Sequence, residues 1–130
     1  FPLAVVKAVR EAWPQDKPMF VRISTTDWAE GGWDVDDSIV YVKELEKLGV
    51  DLIDASSGGA IIDAQIPNEV NYQIDLAEQV KKQTGMLTAA VGRITQAKQA
   101  EQLLEDQKAD VCFLGRQTLR DPHWSISACT

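Results

Sequence analysis

Apolar residues recur along this chain with two alternating periods. Met19–Ser24, Val50–Ala55, Met86–Val91 and Asp110–Gly115 are short, largely apolar runs with β-branched residues, the pattern of strands buried on both faces. Between them the spacing turns helical. Ile39, Val42, Leu45 and Leu48 line one side of a segment that Asp34 or Asp36 can cap and Gly49 ends. Ile74, Ala77 and Val80 do the same within Gln73–Thr84, stopped by Gly85, and Thr95 can cap a helix through Gln107. Ahead of the first strand, Leu3, Val6, Ala8, Val9 and Ala12 predict an amphipathic helix over Phe1–Trp13, closed by Pro14. After the last strand, Asp121-Pro122 can open a short helix with Pro122 at its first position, within a final segment Gln117–Thr130.

Strand and helix alternate throughout, so the sheet is expected to be parallel and covered by helices. Four strands do not close a barrel. They fit either an open, doubly wound sheet or half of an eight-stranded βα-barrel, and pattern alone slightly prefers the open sheet because such sheets are complete by themselves. Beginning on a helix, with no strand before it, is unusual for a complete α/β domain. By length and pattern, residues 1–130 are one domain, or part of one.

Composition narrows the partners. The chain has 130 residues, 45% of them hydrophobic, as a soluble globular domain requires. Its net charge of −7 argues against a nucleic-acid backbone or an anionic membrane as the main partner. No apolar run has the length of a membrane span, and no signal-peptide pattern opens the chain, so the expected compartment is cytoplasmic. Cys112 and Cys129 have neither disulfide-scaffold nor metal-ligand spacing. The acidic group Asp34, Asp36 and Asp37 lacks the spacing of a calcium loop and suits a helix cap instead.

The candidate chemistry lies where two strands end. Val91-Gly92-Arg93 and Leu114-Gly115-Arg116 each place glycine and arginine after an apolar run, just before a residue that can open a helix. Glycine admits a close approach to the backbone, helix-start N–H groups point outward, and arginine offers a planar fork of donors. Together they suggest a cradle for a phosphate. That the pair follows the last two strands, where βα-barrels commonly bind phosphate, and that no G-x-G-x-x-G follows the first strand, both favour the half-barrel.

Phe20-Val21-Arg22-Ile23-Ser24, Gly49 through Gly58, Ala90-Val91-Gly92, Leu114-Gly115-Arg116 and Leu119-Arg120-Asp121-Pro122 resemble, in order and spacing, the C-terminal half of the old yellow enzyme family, in its bacterial, thermophilic-like branch. The resemblance implies half of an FMN-binding (βα)8 TIM barrel, roughly (βα)4. It implies an enzyme that takes hydride from NADPH or NADH onto FMN and passes it to an alkene activated by a carbonyl or nitro group. Arg22 would then stand at the flavin N1/O2 edge and Ser56 beside the cofactor. Val91, Gly92, Gly115 and Arg116 would hold its phosphate, with residues Asp27 to Trp33 and Tyr72 on loops at the same face.

The family's His-His or His-Asn pair that binds the substrate carbonyl, and its proton-donating tyrosine, belong to its N-terminal half, which is absent here. No catalytic residue is therefore assigned, and the isolated chain is expected to be inactive and to self-associate through its unpaired strand edges. The rival is a non-enzymatic phosphate-ligand or scaffold module with an open four-stranded sheet. Without the resemblance, Arg22 reads as a structural arginine paired with Asp54. Arg93 reads as a surface residue, Arg120 and Asp121 as an ion pair and cap, and His123 as a packing residue of the last helix. Trp13, Trp28, Trp33 and Trp124 are too scattered for a stacking platform.

Overall fold

A computed structural model describes residues 1–129. Ten elements follow in chain order: α1 (Pro2–Ala12), β1 (Phe20–Ser24), α2 (Val35–Lys47), β2 (Leu52–Ser56), α3 (Ile74–Thr84), β3 (Leu87–Val91), α4 (Ala97–Glu105), β4 (Val111–Phe113), α5 (Arg116–Arg120) and α6 (Trp124–Ser127). The strands form one parallel sheet in the order β1-β2-β3-β4, with Arg22 opposite Asp54, Asp54 opposite Ala89, and Ala89 opposite Val111.

That order decides between the two architectures. A doubly wound sheet reverses direction at a switch point, whereas here each strand is laid beside its predecessor. Right-handed crossovers in one direction put every connecting helix on the same face. The fold is therefore a (βα)4 half of a TIM-type barrel, and the open doubly wound alternative is set aside. One face of the sheet carries Ile23, Ile53, Ala55 and Ala90, which pack in two clusters with helix residues. The first joins Val42 and Leu45 of α2 to Val80 of α3, and the second joins Ile74 and Ala77 of α3 to Leu103 of α4. Full burial of each valine, leucine or isoleucine among them is worth roughly 1.5–3 kcal/mol.

The opposite, concave face carries Phe20, Arg22, Leu87 and Val111, all left exposed. In a flat sheet β1 and β4 would stand three strand spacings, roughly 14 Å, apart. Curvature and the reach of two rings bring Phe20 and Phe113 to 6.5 Å between centroids.

The helix signals are mostly those of the sequence. Asp34 caps α2, accepting the N–H groups of Asp36 and Asp37, and Gly85 ends α3 at φ 75°. Four details differ. The cap of α4 is Gln96 rather than Thr95, and Gln99 Oε1 accepts the N–H groups of both. Asp121-Pro122 does not open a helix. Asp121 instead accepts the His123 N–H, making a turn between α5 and α6, and it pairs with no base among the described residues, Arg120 included. Thr130, the end of the expected final segment, lies outside the described residues. In α1 only Val6 is buried, because α1 packs mainly on α2 and, among the described residues, β1 has no strand beyond it for Leu3, Val5 and Val9 to cover.

Candidate functional site

β3 runs into the turn Gly92–Thr95 and β4 into Leu114-Gly115, and the pairing of Val91 with Phe113 sets these turns side by side. A cavity of about 330 Å³ opens between them. Val91, Gly92, Gly115 and Arg116 all line it, so four of the six residues singled out from the sequence come together. Arg93 and Arg120 line it too. Three arginines thus line one cavity in a chain whose net charge is −7. Arg116 and Arg120 form no ion pair among the described residues. Arg93, expected at the surface, is exposed and forks onto the carbonyl and side-chain oxygens of Asn68.

The two glycines are needed for different reasons. Gly92 has φ 113°, and a Cβ there would lie 2.5 Å from Gln73 Nε2, so both backbone and packing demand glycine. Gly115 has φ −105°, and a Cβ there would meet nothing within 4 Å. Neither a positive φ nor protein packing asks for glycine at 115. The bare position leaves room for a group from outside the chain, and the first N–H groups of α5 that follow have no carbonyl partner within their helix.

Arg22 and Ser56 stand apart from this cavity. Arg22 Nε donates to Asp54 Oδ2 at 2.5 Å across the β1–β2 pair, with the arginine side chain 60% exposed and the aspartate 5%. Its terminal nitrogens have no partner among the described residues. Burial pushes the Asp54 carboxyl above the usual carboxylate range, against the pull of Arg22, and its Oδ1 is buried without a partner among the described residues. Arg22 borders a second cavity of about 490 Å³ with Ser24, Asp27, Trp33 and Tyr41. Ser56 ends β2 opposite Ser24, and its carbonyl accepts the Thr25 N–H; it lines neither cavity.

Tyr72 lies beside Gly92 and against Trp28, with ring centroids 6.4 Å apart. Arg120 and Gln73 are the residues that sequence reasoning missed. The four-residue spacing of Arg116 and Arg120, which puts both on one side of a helix, was the available signal for the first. Nothing in the sequence marked Gln73. Other chemistry is weak among the described residues: no three potential metal ligands cluster, and burial raises the half-buried Cys112 thiol, opposing a reactive thiolate. Among the described residues, no helix is long and apolar enough to cross a membrane.

A parallel half-barrel with a cationic cavity beyond the carboxyl ends of its strands places the chain among βα-barrel proteins, whose ligand sites lie at that face. A profile of the NADH:flavin oxidoreductase / NADH oxidase family matches residues 1–128. The chain belongs to this family. It is 46% identical over 124 residues to an NADPH dehydrogenase of Geobacillus thermodenitrificans and 41% identical to one of Bacillus subtilis, covering 95% of this chain and 36% of each relative. It thus spans about a third of the length of the curated relatives it matches. Among solved structures, it resembles (S)-mandelate dehydrogenase with a TM-score of 0.62 and 17% identity, over 92% of this chain and 27% of that one. A mandelate racemase/muconate lactonizing enzyme from a marine actinobacterium gives 0.58 and 16%, over 98% and 33%. At these identities the likeness is one of fold.

Proposed function

We propose that this chain is the FMN-binding, C-terminal half-barrel of an NAD(P)H-dependent flavin oxidoreductase. The observation that carries the proposal is Gly115: a glycine required by neither a positive φ nor packing, beside Arg116, which has no ion pair among the described residues, in a cavity that Gly92 also lines. Its chemistry fits a phosphate monoester, because Arg116 offers a charge-assisted fork and bare glycine backbone lets phosphate oxygens reach N–H groups. Family membership and the NADPH dehydrogenase relatives support FMN as the group that carries this phosphate, with NADPH or NADH as the hydride donor.

When bound, FMN would supply hydride transfer from the nicotinamide to an acceptor. The chain's own residues hold and tune. Gly92, Gly115 and Arg116 anchor the phosphate, with Val91 shaping the cavity wall. Arg22, held through Nε by Asp54, keeps two terminal nitrogens free on the concave face, where a fixed cation stabilises negative charge on a reduced flavin edge. Ser56, at the end of the neighbouring strand, adds a hydroxyl to the same rim. In the whole enzyme the acceptor would be an enone or nitroalkene, a reading that rests on the old yellow enzyme resemblance, and the compartment the cytoplasm. Alone, the chain would have no complete active site and would self-associate.

Titration of the 130-residue chain with FMN, followed by quenching of flavin fluorescence and with riboflavin as the control lacking phosphate, tests this. Saturable binding of FMN but not riboflavin, weakened at least tenfold by Arg116→Ala, is expected. Binding of neither flavin, or equal binding of both, overturns the phosphate assignment.

A further inference from the structure

Three residues in the loops at this end of the sheet hold left-handed backbone without being glycine: Trp28 at φ 57°, Asn71 at 67° and Arg93 at 56°. Such conformations persist where the surroundings over-determine them. The surroundings here centre on one buried amide. Gln73, 3% exposed, sits just before α3. Its Oε1 accepts the Ser57 hydroxyl at 2.6 Å, and that hydroxyl accepts Trp28 Nε1 at 2.8 Å. Its Nε2 donates to the Val91 carbonyl at 2.7 Å. A carbonyl can only accept, so the amide orientation is fixed, and one side chain ties together the turns that follow β1, β2 and β3.

The Val91 carbonyl and the Gly92 N–H belong to the same planar trans peptide, in which they point in opposite directions. Pinning the carbonyl onto Gln73 therefore sends the Gly92 N–H to the other side of the peptide. Gly92 must be bare for this to happen, since a Cβ would overlap Gln73 Nε2. A second glutamine completes the frame: Gln99 Nε2 bonds Asn71 Oδ1 and, at 3.1 Å, the Arg93 carbonyl.

We propose that Gln73 is a positioning residue of the cavity, one that aims the Gly92 N–H at the ligand's phosphate by holding the peptide before it. The proposal rests on the phosphate reading above, and the experiment separates the two. Gln73→Glu keeps an acceptor for Ser57 but sets an oxygen against the Val91 carbonyl in place of a donor. Gln73→Leu removes both bonds at similar volume. In each, FMN affinity is expected to fall about tenfold or more while any weak riboflavin binding is unchanged, a tenfold fall corresponding to about 1.4 kcal/mol.

Arg116→Ala serves as the cavity control. If it abolishes the preference for FMN over riboflavin while both folded Gln73 variants retain the wild-type preference, the inference about Gln73 is overturned and the phosphate reading stands. If neither Arg116→Ala nor the Gln73 variants change that preference, the phosphate reading falls, and the inference with it. Should the Gln73 variants fail to fold, amide NMR on the unaltered chain decides. Inorganic phosphate is expected to shift the Gly92 N–H together with that of Gly115, and a Gly115 shift with Gly92 unmoved overturns the proposal.

Discussion

Arg22 and Asp54 face each other across adjacent parallel strands, joined through Nε and Oδ2 at 2.5 Å, with the cation open to solvent and the carboxylate buried. The pair is asymmetric in consequence. The arginine is oriented without being enclosed, while the aspartate bears the desolvation and keeps Oδ1 unpartnered. A structural ion pair and a ligand-facing arginine are therefore compatible roles, since among the described residues only one of the five guanidinium N–H groups is used.

The same asymmetry fixes a pH dependence. Burial raises the Asp54 carboxyl above its ordinary 3.8, with Arg22 opposing. Just above 3.8 the folded chain binds more protons at this site than the unfolded chain, so its contribution falls as pH rises. The stability of the wild type relative to Asp54→Asn is expected to be greatest below pH 3.8 and to decline as pH passes through the folded-state value. Denaturant unfolding of both proteins across the acid range checks this, and a difference that grows with pH would contradict it.

Asp110 carries the opposite sign. It precedes β4, where Oδ1 meets Lys81 Nζ at 2.9 Å and Oδ2 accepts the Thr88 N–H at 2.9 Å. Burial pulls its carboxyl up, but the Thr88 and Lys81 bonds prevail and hold it below the usual range. Its contribution is present above 3.8 and is lost as pH falls through the folded-state value. Asp110→Asn is expected to cost about 1–2 kcal/mol at neutral pH, the worth of a charged hydrogen bond at a partly exposed site. The deficit relative to wild type should vanish in acid, as read by the same unfolding measurement.

The two glycines of the cavity separate folding from binding. Gly92→Ala meets both a positive φ and Gln73 Nε2 at 2.5 Å, so a loss of about 2 kcal/mol or more is expected, 1–2 of it from the backbone alone. Gly115→Ala adds a methyl group to open space at negative φ, so the melting temperature should stay within a few degrees of wild type. FMN affinity should nevertheless fall about tenfold, because the methyl group occupies the ligand's approach. Thermal unfolding and FMN titration of the two variants make the comparison; a Gly115→Ala protein that binds FMN normally would show that the bare position is not used.

The elements and the Gly-Arg pairs were legible because period and glycine placement are local signals: Val91-Gly92 and Leu114-Gly115-Arg116 could be read without knowing what lay beside them. The choice of sheet was less so. The order β1-β2-β3-β4 is a long-range fact, and the apolar runs alone suit either sheet. Gln73 was invisible for a related reason, since an amide before a helix is ordinary until Ser57 and Val91 arrive beside it from residues far along the chain. Asp121-Pro122 misled because a favourable helix start can equally serve as a turn, and the backbone took the turn. Arg22 was ambiguous in the sequence because its partner and its exposure pull the reading in different directions, and both are present in the fold.

The concave face carries the last prediction. Phe20, Leu87 and Val111 are 53%, 54% and 38% exposed on the side of the sheet away from the helices, and β1 and β4 each present an unpaired backbone edge among the described residues. Parallel strands are normally covered on both faces, so this surface is a template for association. The isolated chain is expected to show a weight-average mass that rises with concentration in sedimentation equilibrium. Phe20→Lys with Val111→Lys should shift the distribution toward monomer, because each places a charge in the apolar patch while pointing away from the helix-packed core. Because neither residue belongs to the cationic cavity, FMN affinity per chain should be retained in the double variant. A wild-type chain that stays monomeric at every concentration would mean that curvature, held by the contact of Phe20 with Phe113, shields this face well enough by itself.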